Sequence, residues 1–166
     1  MQAAPRFRMD DALPGVKVVT SPVSGRGVVA AEHIAEGSKV MEIQGKRLHR
    51  TQANPSDHTR HLLQIEEDHF LLATGTADDF INHSCAPNLA TDGHTLWLYA
   101  LRDIEAGEEL FFDYRAFEED TDWRLPCACG TPACTGVLTG FPAYPASVRQ
   151  SLYAACRPYL RKKYPA

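Results

Sequence analysis

The sequence predicts a mostly-β domain that ends in a helix. Two observations lead to this prediction. Many short apolar runs, rich in β-branched residues, are separated by glycine turns. After residue 145, in contrast, apolar residues recur at helical spacing. The 166 residues, 44% hydrophobic and 23% charged, suit one domain with a buried core.

The predicted strands follow one another from residue 16, after a poorly ordered lead-in over 1–14. They lie at residues 16–19, 28–31, 39–43, 62–65, 69–72, 96–100 and 109–112. Glycine turns at 24–27, 36–37 and 105–107 separate several of them. The pair at 62–65 and 69–72 predicts a hairpin. The polar stretch 46–60 predicts either a short helix or a loop.

The tail from 145 to 163 predicts a helix that packs on the domain. Its apolar positions share the spacing of one helical face: Val148, Leu152, Ala155, Tyr159 and Leu160. Pro145 suits a first helical turn, and the basic residues 161–163 suit the negative end of the helix dipole. Pro158 should kink or split this helix. We expect the basic side chains to face outward.

Composition and charge exclude several classes of protein. No apolar run approaches the roughly 20 residues that span a bilayer, and no secretion signal follows Met1, so we expect the cytosol, or the nucleus in a eukaryote. Six of the 17 basic residues follow residue 122, which leaves 11 basic against all 21 acidic residues before it. An acidic body favours a cationic partner such as a lysine-rich peptide, although solubility alone explains it equally well.

Three cysteines within eight residues indicate a metal site. Cys127, Cys129 and Cys134 suit a tight loop, and zinc requires four tetrahedral ligands. The fourth ligand is open: Cys85, Cys156 and the seven histidines are candidates. The alternative is a set of buried or redox-active thiols.

Four motifs together carry a resemblance to a known family. They read SGRG at 24–27, FINHSC at 80–85, GEELFFDY at 107–114 and a cysteine-rich loop at 127–136. In this order and spacing, the chain resembles the SET-domain protein-lysine methyltransferases over roughly residues 15–140. The resemblance implies a SET domain at 15–120 and a post-SET zinc loop at 121–144, and the C-terminal basic helix predicted above then occupies 145–166.

The resemblance also implies a fold and a set of site residues. The fold would consist of small curled β-sheets around a pseudoknot, in which the chain near Tyr114 threads the segment near Asn82. S-adenosyl-L-methionine would bind on one side, and a lysine of a protein or peptide would enter from the other. The cofactor residues would be Arg26, Gly27, Asn82, His83, Tyr114 and Phe141. A structural Zn²⁺ would bind Cys85, Cys127, Cys129 and Cys134, leaving Cys156 free.

Two aromatic residues would determine how the lysine amine is oriented and how many methyl groups it receives. Tyr114 would be the catalytic tyrosine that orients a neutral lysine amine. Phe112 would leave room for an already methylated amine, which favours di- or trimethyl-lysine on a histone or another basic protein. The sequence departs from the family at Asp79, where an arginine is common, and at His61, where a tyrosine is common.

Two other functions compete with the methyltransferase. One is a catalytically idle SET-like module that binds peptides, which the departures at Asp79 and His61 leave open. The other is a zinc-dependent nucleic-acid binder, but its basic residues are spread over a long tail and the body is acidic, so we do not expect nucleic acid as a partner. The sequence predicts no membrane partner and leaves the oligomeric state open.

Overall fold

The chain folds into several small β-sheets followed by two short helices. The computed structural model describes residues 15–53 and 62–165. The predicted lead-in at 1–14 therefore lies outside the described residues. The strands are β1 (Val16–Thr20), β2 (Arg26–Ala30), β3 (Lys39–Glu42), β4 (Lys46–His49), β5 (Leu62–Glu66), β6 (His69–Leu72), β7 (Asn82–His83), β8 (Leu89–Thr91), β9 (Trp97–Ala100), β10 (Phe111–Phe112), β11 (Leu125–Pro126) and β12 (Val137–Leu138).

Within residues 15–53 and 62–165 these strands form five sheets. Two have three strands, in the orders β3-β9-β8 and β4-β6-β5, and three have two strands, β1-β2, β10-β7 and β11-β12. The predicted hairpin is confirmed, because β5 and β6 pair antiparallel. Sheets this small cannot bury two faces on their own, so the fold depends on packing between sheets. The predicted mostly-β class, built from small sheets, is confirmed.

The parallel pair of β7 with β10 joins the two segments that were predicted to thread one another. Phe111 lies opposite Asn82, and Phe112 lies opposite His83. The main-chain N–H of Ser84 also donates to the carbonyl oxygen of Phe112 at 3.3 Å. The motifs at 80–85 and 107–114 are therefore fixed side by side although they are distant in sequence.

One apolar core holds the sheets together. Its most buried side chains come from different sheets and from the turns between them: Val28, Ile34, Leu89, Leu98, Ile104 and Leu110. A smaller cluster lies under the C-terminal segment and contains Phe141, Leu152, Cys156 and Leu160. Burying a side chain of this size contributes roughly 1.5–3 kcal/mol. The C-terminal segment is thus anchored by a core of its own.

The strand β4 differs from the prediction of a helix or loop at 46–60. It pairs antiparallel with β6, with Leu48 opposite Phe70 and His49 opposite His69. Only Leu48 of its four residues is buried, so the strand lacks the apolar alternation that identifies strands in a sequence. Pairing with β6 supplies the stabilisation instead. Residues 54–60 of that stretch lie outside the described residues.

The C-terminal segment forms two helices, α1 (Ala146–Leu152) and α2 (Pro158–Lys163). Pro158 is the first residue of α2, where a proline is tolerated because its missing N–H needs no partner, and this confirms the predicted split. No helix in the described ranges is long and apolar enough to cross a membrane.

The prediction that all basic side chains of this segment face outward is wrong for Arg157. Its side chain is buried at 6% exposure and donates to the carbonyl oxygens of Ile65 at 3.1 Å and Thr95 at 2.7 Å. A guanidinium carries five N–H donors, so it can satisfy carbonyl groups that the end of β5 and the turn before β9 leave unpaired. Arg157 therefore ties the tail to the domain.

Candidate active site

One large cavity, of about 1030 Å³, lies between the turn before β2, the strand β6 and the segment 123–128. Cavities of a few hundred to about 1,000 Å³ are typical of small-molecule sites, so this one has room for a cofactor and a side chain of a second substrate. The predicted site residues on its lining are Arg26, Asn82, His83, Phe112, Tyr114 and Cys127. The fold therefore brings most of the predicted site to one place.

Asn82 lies at the centre of a hydrogen-bond network that fixes the cavity wall. Its side-chain amide donates to the carbonyl oxygen of Arg26 and to Glu109 Oε1, both at 2.9 Å. The other oxygen of Glu109 accepts from the Ser21 hydroxyl at 3.0 Å. Glu109 thus joins the β1–β2 turn to β7. This role of Glu109 was not predicted, although Glu109 lies in the same sequence motif as Tyr114.

Gly27 is required by the close approach of this carboxylate. A Cβ atom at Gly27 would lie 2.2 Å from Glu109 Oε1 and 2.9 Å from Ser21 Cβ, which is too close for either contact. Gly27 does not line the cavity itself. Its lack of a side chain lets the turn at 24–27 approach Asn82, so its contribution to the site is steric.

His83 is buried and neutral. Burial lowers the pKa of His83 to about 4, against an opposing effect of Asp113. Its Nδ1 accepts a hydrogen bond from the Tyr114 main-chain N–H at 3.2 Å, so the proton resides on Nε2, which lies 3.2 Å from Cys85 Sγ. The 3.6 Å contact between Nδ1 and Asp113 is therefore no ion pair, and Asp113 pairs with Arg115 at 2.6 Å.

Tyr114 and Phe112 form an aromatic wall of the cavity. Their ring centroids are 4.8 Å apart, and the Tyr114 hydroxyl donates to the carbonyl oxygen of Ile81 at 2.7 Å. Burial raises the pKa of Tyr114 well above its usual value, so the hydroxyl stays protonated. With its hydrogen directed to Ile81, the oxygen can accept a hydrogen bond from a group in the cavity.

Cys85, Cys127, Cys129 and Cys134 form a cluster that could hold a metal ion. Their four sulfur atoms lie within 4.8 Å of one another. Four thiolates about 2.3 Å from one zinc ion would be roughly 3.8 Å apart, so a small contraction of the cluster suffices. The four cysteines carry no disulfide. Because Cys127 lines the cavity and Cys85 contacts His83, the cluster adjoins the candidate active site.

One cysteine, Cys156, and one aromatic residue, Phe141, lie away from this cluster and this cavity. Cys156 is fully buried in the smaller core, where burial raises its pKa to about 12, and it is not among the four clustered sulfurs. Phe141 is 0% exposed in the same core and does not line the cavity. A contact between Phe141 and a cofactor stays a prediction, and it would require the buried ring to become accessible.

Asp79, one of the two departures from the family pattern, has a clear structural role. One oxygen of its carboxylate accepts hydrogen bonds from the main-chain N–H groups of Thr74 at 2.9 Å, Gly75 at 2.6 Å and Thr76 at 3.1 Å. The side chain therefore holds the loop that enters the 3₁₀ helix Ala77–Phe80. An arginine could not accept these bonds. The other departure, His61, lies outside the described residues.

Comparison with known proteins assigns the chain to a family. A family model for the SET domain matches residues 25–115. A histone-lysine N-methyltransferase of Aspergillus oryzae, named as H3 lysine-4 specific, is 34% identical over an alignment of 140 residues that covers 74% of this chain and 11% of that protein. A protein of the same name from Schizosaccharomyces pombe is 37% identical over an alignment of 128 residues that covers 68% of this chain and 14% of that protein.

Solved structures give the same assignment. A crystal structure of KRYPTONITE in complex with mCHG DNA and SAH matches with a TM-score of 0.62 and 27% identity, over 76% of this chain and 30% of that chain. The chain therefore belongs to the SET domain family, and its fold is that of the family. It spans only a small part of the length of these curated relatives. The boundaries at residues 120 and 144 stay predictions.

Proposed function

We propose that the chain is an S-adenosylmethionine-dependent protein-lysine N-methyltransferase. The observation that carries this proposal is the single cavity lined by the predicted cofactor residues Arg26, Asn82 and His83 and by the predicted catalytic Tyr114. Membership of the SET domain family supports it, as do relatives named histone-lysine N-methyltransferases. S-adenosylmethionine supplies, when bound, an electrophilic methyl group on a positively charged sulfur.

The cofactor residues would act mainly through a preformed wall. The main chain at Arg26 and the side chain of Asn82 would hold the cofactor, in a geometry that Glu109 fixes from behind and that the missing side chain of Gly27 allows. His83 supports this wall because its Nδ1 accepts a hydrogen bond from the main-chain N–H of Tyr114. A wall ordered before binding lowers the conformational entropy lost when the cofactor binds.

The lysine side of the reaction needs a neutral amine in an oriented position. The unperturbed pKa of lysine is about 10.4, and an apolar environment favours the uncharged form. Phe112 contributes such an environment, while the Tyr114 oxygen accepts an N–H of the amine and directs its lone pair. Water exclusion and alignment of this kind can supply several kcal/mol of barrier lowering.

We propose that the cysteine cluster holds a structural zinc ion. Four sulfur ligands form a closed tetrahedral site, which leaves no position for a substrate. Cys85 would connect the ion to His83, and Cys127 would connect it to the cavity lining. The ion would then fix the segment 123–128 over the active site.

The substrate we propose is a lysine of a histone or another basic protein. Relatives of the chain are named as specific for lysine 4 of histone H3. The acidic balance of residues 1–122 favours a cationic protein. The compartment would then be the nucleus of a eukaryote, or the cytosol elsewhere.

The number of methyl groups depends on Phe112 in this proposal. A phenylalanine cannot hydrogen-bond the amine, so a methylated amine can rotate and react again. We expect the wild type to accumulate di- or trimethyl-lysine on one peptide, and Phe112→Tyr to shift the products towards monomethyl-lysine. Mass spectrometry of the peptide over time measures the distribution. A wild type that stops at one methyl group would refute the role of Phe112 alone.

The activity itself is tested with purified chain, methyl-labelled S-adenosylmethionine and histone H3 among mixed histones. We expect label on lysine, and a roughly 100-fold or greater loss of rate for Tyr114→Phe. Tyr153→Phe is the matched control, because Tyr153 lies on the C-terminal segment and is absent from the cavity lining. Wild-type protein that binds the cofactor and transfers no label to any histone would favour the idle peptide-binding module instead.

A further inference from the structure

The strand that leads to Tyr114 is very short. β10 consists of Phe111 and Phe112, and within residues 15–53 and 62–165 it pairs with one strand, β7. Two paired residues form few hydrogen bonds, so such a strand needs a further contact to keep a fixed position. Because Phe112 and Tyr114 both line the active-site cavity, a shift of β10 would move the aromatic wall of that cavity.

The side chain of Asn88 makes a two-point contact with this segment. Its Oδ1 accepts a hydrogen bond from the main-chain N–H of Phe111 at 2.8 Å, and its Nδ2 donates to the carbonyl oxygen of Glu109 at 2.8 Å. A residue of a parallel neighbouring strand bonds two main-chain groups of its partner in the same way. The Asn88 amide therefore acts as a neighbouring strand of one residue for β10.

Asn88 is held rigidly, and its partners determine the orientation of its amide. The residue is 2% exposed, its carbonyl oxygen accepts from the Leu101 N–H at 2.9 Å, and it directly precedes β8 of a three-stranded sheet. Oδ1 faces an N–H donor, whereas Nδ2 faces two acceptors, the Glu109 carbonyl oxygen and Glu108 Oε1 at 3.3 Å. The reversed amide would lose all three hydrogen bonds. Asn88 thus joins β10 to a well-anchored sheet.

The cofactor side of the cavity is held by contacts that do not involve Asn88. The Leu110 N–H donates to the Val28 carbonyl oxygen at 2.7 Å, and Glu109 forms a β-bridge with Val29. The chain up to residue 110 is therefore fixed on β2. Loss of the Asn88 amide should release β10 and leave the cofactor side in place.

We propose that Asn88 is a positioning residue for methyl transfer, which acts through β10 on Tyr114. This inference rests on the proposed function, in which the Tyr114 oxygen accepts an N–H of the lysine amine. A displacement of about 1 Å at a reacting group can lower the rate about 100-fold. Asn88 is absent from the cavity lining. Its contribution should therefore appear in the turnover rate and not in the affinity for the cofactor.

The test compares Asn88→Ser and Asn88→Asp with the wild type. Serine is too short to bond β10, and aspartate keeps an acceptor for the Phe111 N–H but has no donor for the Glu109 carbonyl oxygen. Calorimetric titration with S-adenosylhomocysteine gives its Kd and counts the folded sites in each preparation. Turnover on histone H3 at saturating S-adenosylmethionine is then expressed per site. We expect at least tenfold slower turnover per site in both variants, with Kd within threefold of the wild type.

Thr91→Val is the matched control for loss of a buried hydrogen bond. Thr91 is 3% exposed and lies on β8, the strand that follows Asn88, and its hydroxyl donates to the Ala155 carbonyl oxygen at 2.9 Å. This bond leads to the C-terminal segment and not to β10. Thr91→Val should therefore lower the stability of the fold while the turnover per site stays within twofold of the wild type.

A second measurement identifies the group through which Asn88 acts. Two residues that act through one another have non-additive effects on the rate. In a Tyr114→Phe background the oxygen that Asn88 positions is already missing, so Asn88→Ser should slow turnover less than threefold. A tenfold loss in both backgrounds would show that Asn88 acts on another group and would overturn the proposal.

The remaining outcomes separate this inference from the proposed activity. An active wild type with unchanged turnover per site in Asn88→Ser and Asn88→Asp overturns the positioning role alone. Loss of all S-adenosylhomocysteine sites in both variants also overturns it, because Asn88 would then be required for the fold or for the cofactor wall. A wild type that binds S-adenosylhomocysteine and methylates no histone overturns the proposed activity, and the positioning role with it.

Discussion

The Glu109 carboxylate accepts hydrogen bonds from both the Asn82 amide and the Ser21 hydroxyl, and so it fixes the position of Asn82. Glu109→Gln offers one acceptor oxygen where the native carboxylate has two, so one of these bonds is lost. We expect the Kd for S-adenosylmethionine to rise roughly tenfold, which corresponds to a loss of about 1.4 kcal/mol in binding free energy. The rate at saturating cofactor should change less than threefold.

The control for this prediction is Glu105→Gln, an exposed acid in the neighbouring turn. It should leave both the Kd for the cofactor and the saturated rate unchanged. An unaltered Kd in Glu109→Gln would show that Asn82 is held by other contacts. A large fall in the saturated rate at unchanged Kd would instead place Glu109 closer to the methyl transfer.

Glu118 should make the stability of the protein depend on pH. Burial raises the pKa of Glu118 from 4.5 to about 7 in the folded protein. The folded state therefore favours the protonated carboxyl, and stability is lost as pH rises from about 4.5 through 7. Acidic neighbours Glu119 and Asp120 act in the same direction.

Glu118→Gln removes this effect, so its free energy of unfolding should exceed that of the wild type at pH 8 by on the order of 1–3 kcal/mol and match it near pH 4. Thermal denaturation at the two pH values measures the difference. Asp122→Asn, which removes an exposed acid of the same segment, should follow the wild type at both. An equal difference between Glu118→Gln and the wild type at pH 4 and pH 8 would contradict the raised pKa.

The individual residues could be predicted from the sequence where a motif contains them. Asn82, His83, Tyr114 and the cysteines belong to ordered motifs, and they meet in the structure. The role of Glu109 could not be predicted, because it depends on contacts between segments far apart in the chain. Ser21 and Glu109, for example, are 88 positions apart.

Arg157 is the side chain that fastens the C-terminal helices to the β-sheets. It donates to carbonyl oxygens of β5 and of the turn before β9, and the hydroxyl of Thr91 on β8 donates to the Ala155 carbonyl at 2.9 Å beside it. Arg157→Ala removes the guanidinium donors from the carbonyl groups of Ile65 and Thr95. We expect the free energy of unfolding to fall by about 3 kcal/mol, measured in urea.

Lys162→Ala is the control, because Lys162 is an exposed basic residue of α2, the helix that directly follows Arg157. It should change the free energy of unfolding by no more than about 0.5 kcal/mol. If Arg157→Ala were as stable as Lys162→Ala, the smaller apolar core around Leu152 and Leu160 would be sufficient to hold the helices.

Among the secondary-structure elements, the long strands and the helical tail were predictable and the shortest strands were not. A strand such as β9 shows its apolar run in the sequence, whereas β7, β11 and β12 have two residues each and no pattern of their own. The strand β8 was missed for a similar reason, since it has only three residues. Such strands exist because a neighbouring segment pairs with them.

At the scale of the whole molecule, basic side chains of the C-terminal segment contact the rest of the domain. Lys163 pairs with Glu67 and Glu119, and Arg161 donates to the Gly93 carbonyl at 2.8 Å. Together with the buried Arg157, these contacts occupy half of the six basic residues that follow residue 122. The basic tail is thus used in the fold, and the absence of a nucleic-acid partner stays a prediction.

The cysteine cluster is expected to hold one zinc ion per chain. We expect Cys134→Ser to lose the metal, because three remaining thiolates cannot close a tetrahedral site, and Cys156→Ser to retain it. Elemental analysis of the purified variants measures the content. A chelator should lower the melting temperature of the wild type as it strips the metal. Loss of zinc from Cys156→Ser would reverse the assignment of ligands.

The central claim is that the cavity at Asn82 and His83 binds S-adenosylmethionine and is closed by the zinc cluster. Calorimetric titration of S-adenosylhomocysteine into the zinc-loaded chain tests it most directly. We expect one site per chain, at least tenfold weaker binding in Asn82→Ala and in His83→Ala, and weaker binding again after removal of the metal. No binding by the zinc-loaded wild type, or equal affinity in the wild type and both variants, would contradict the claim.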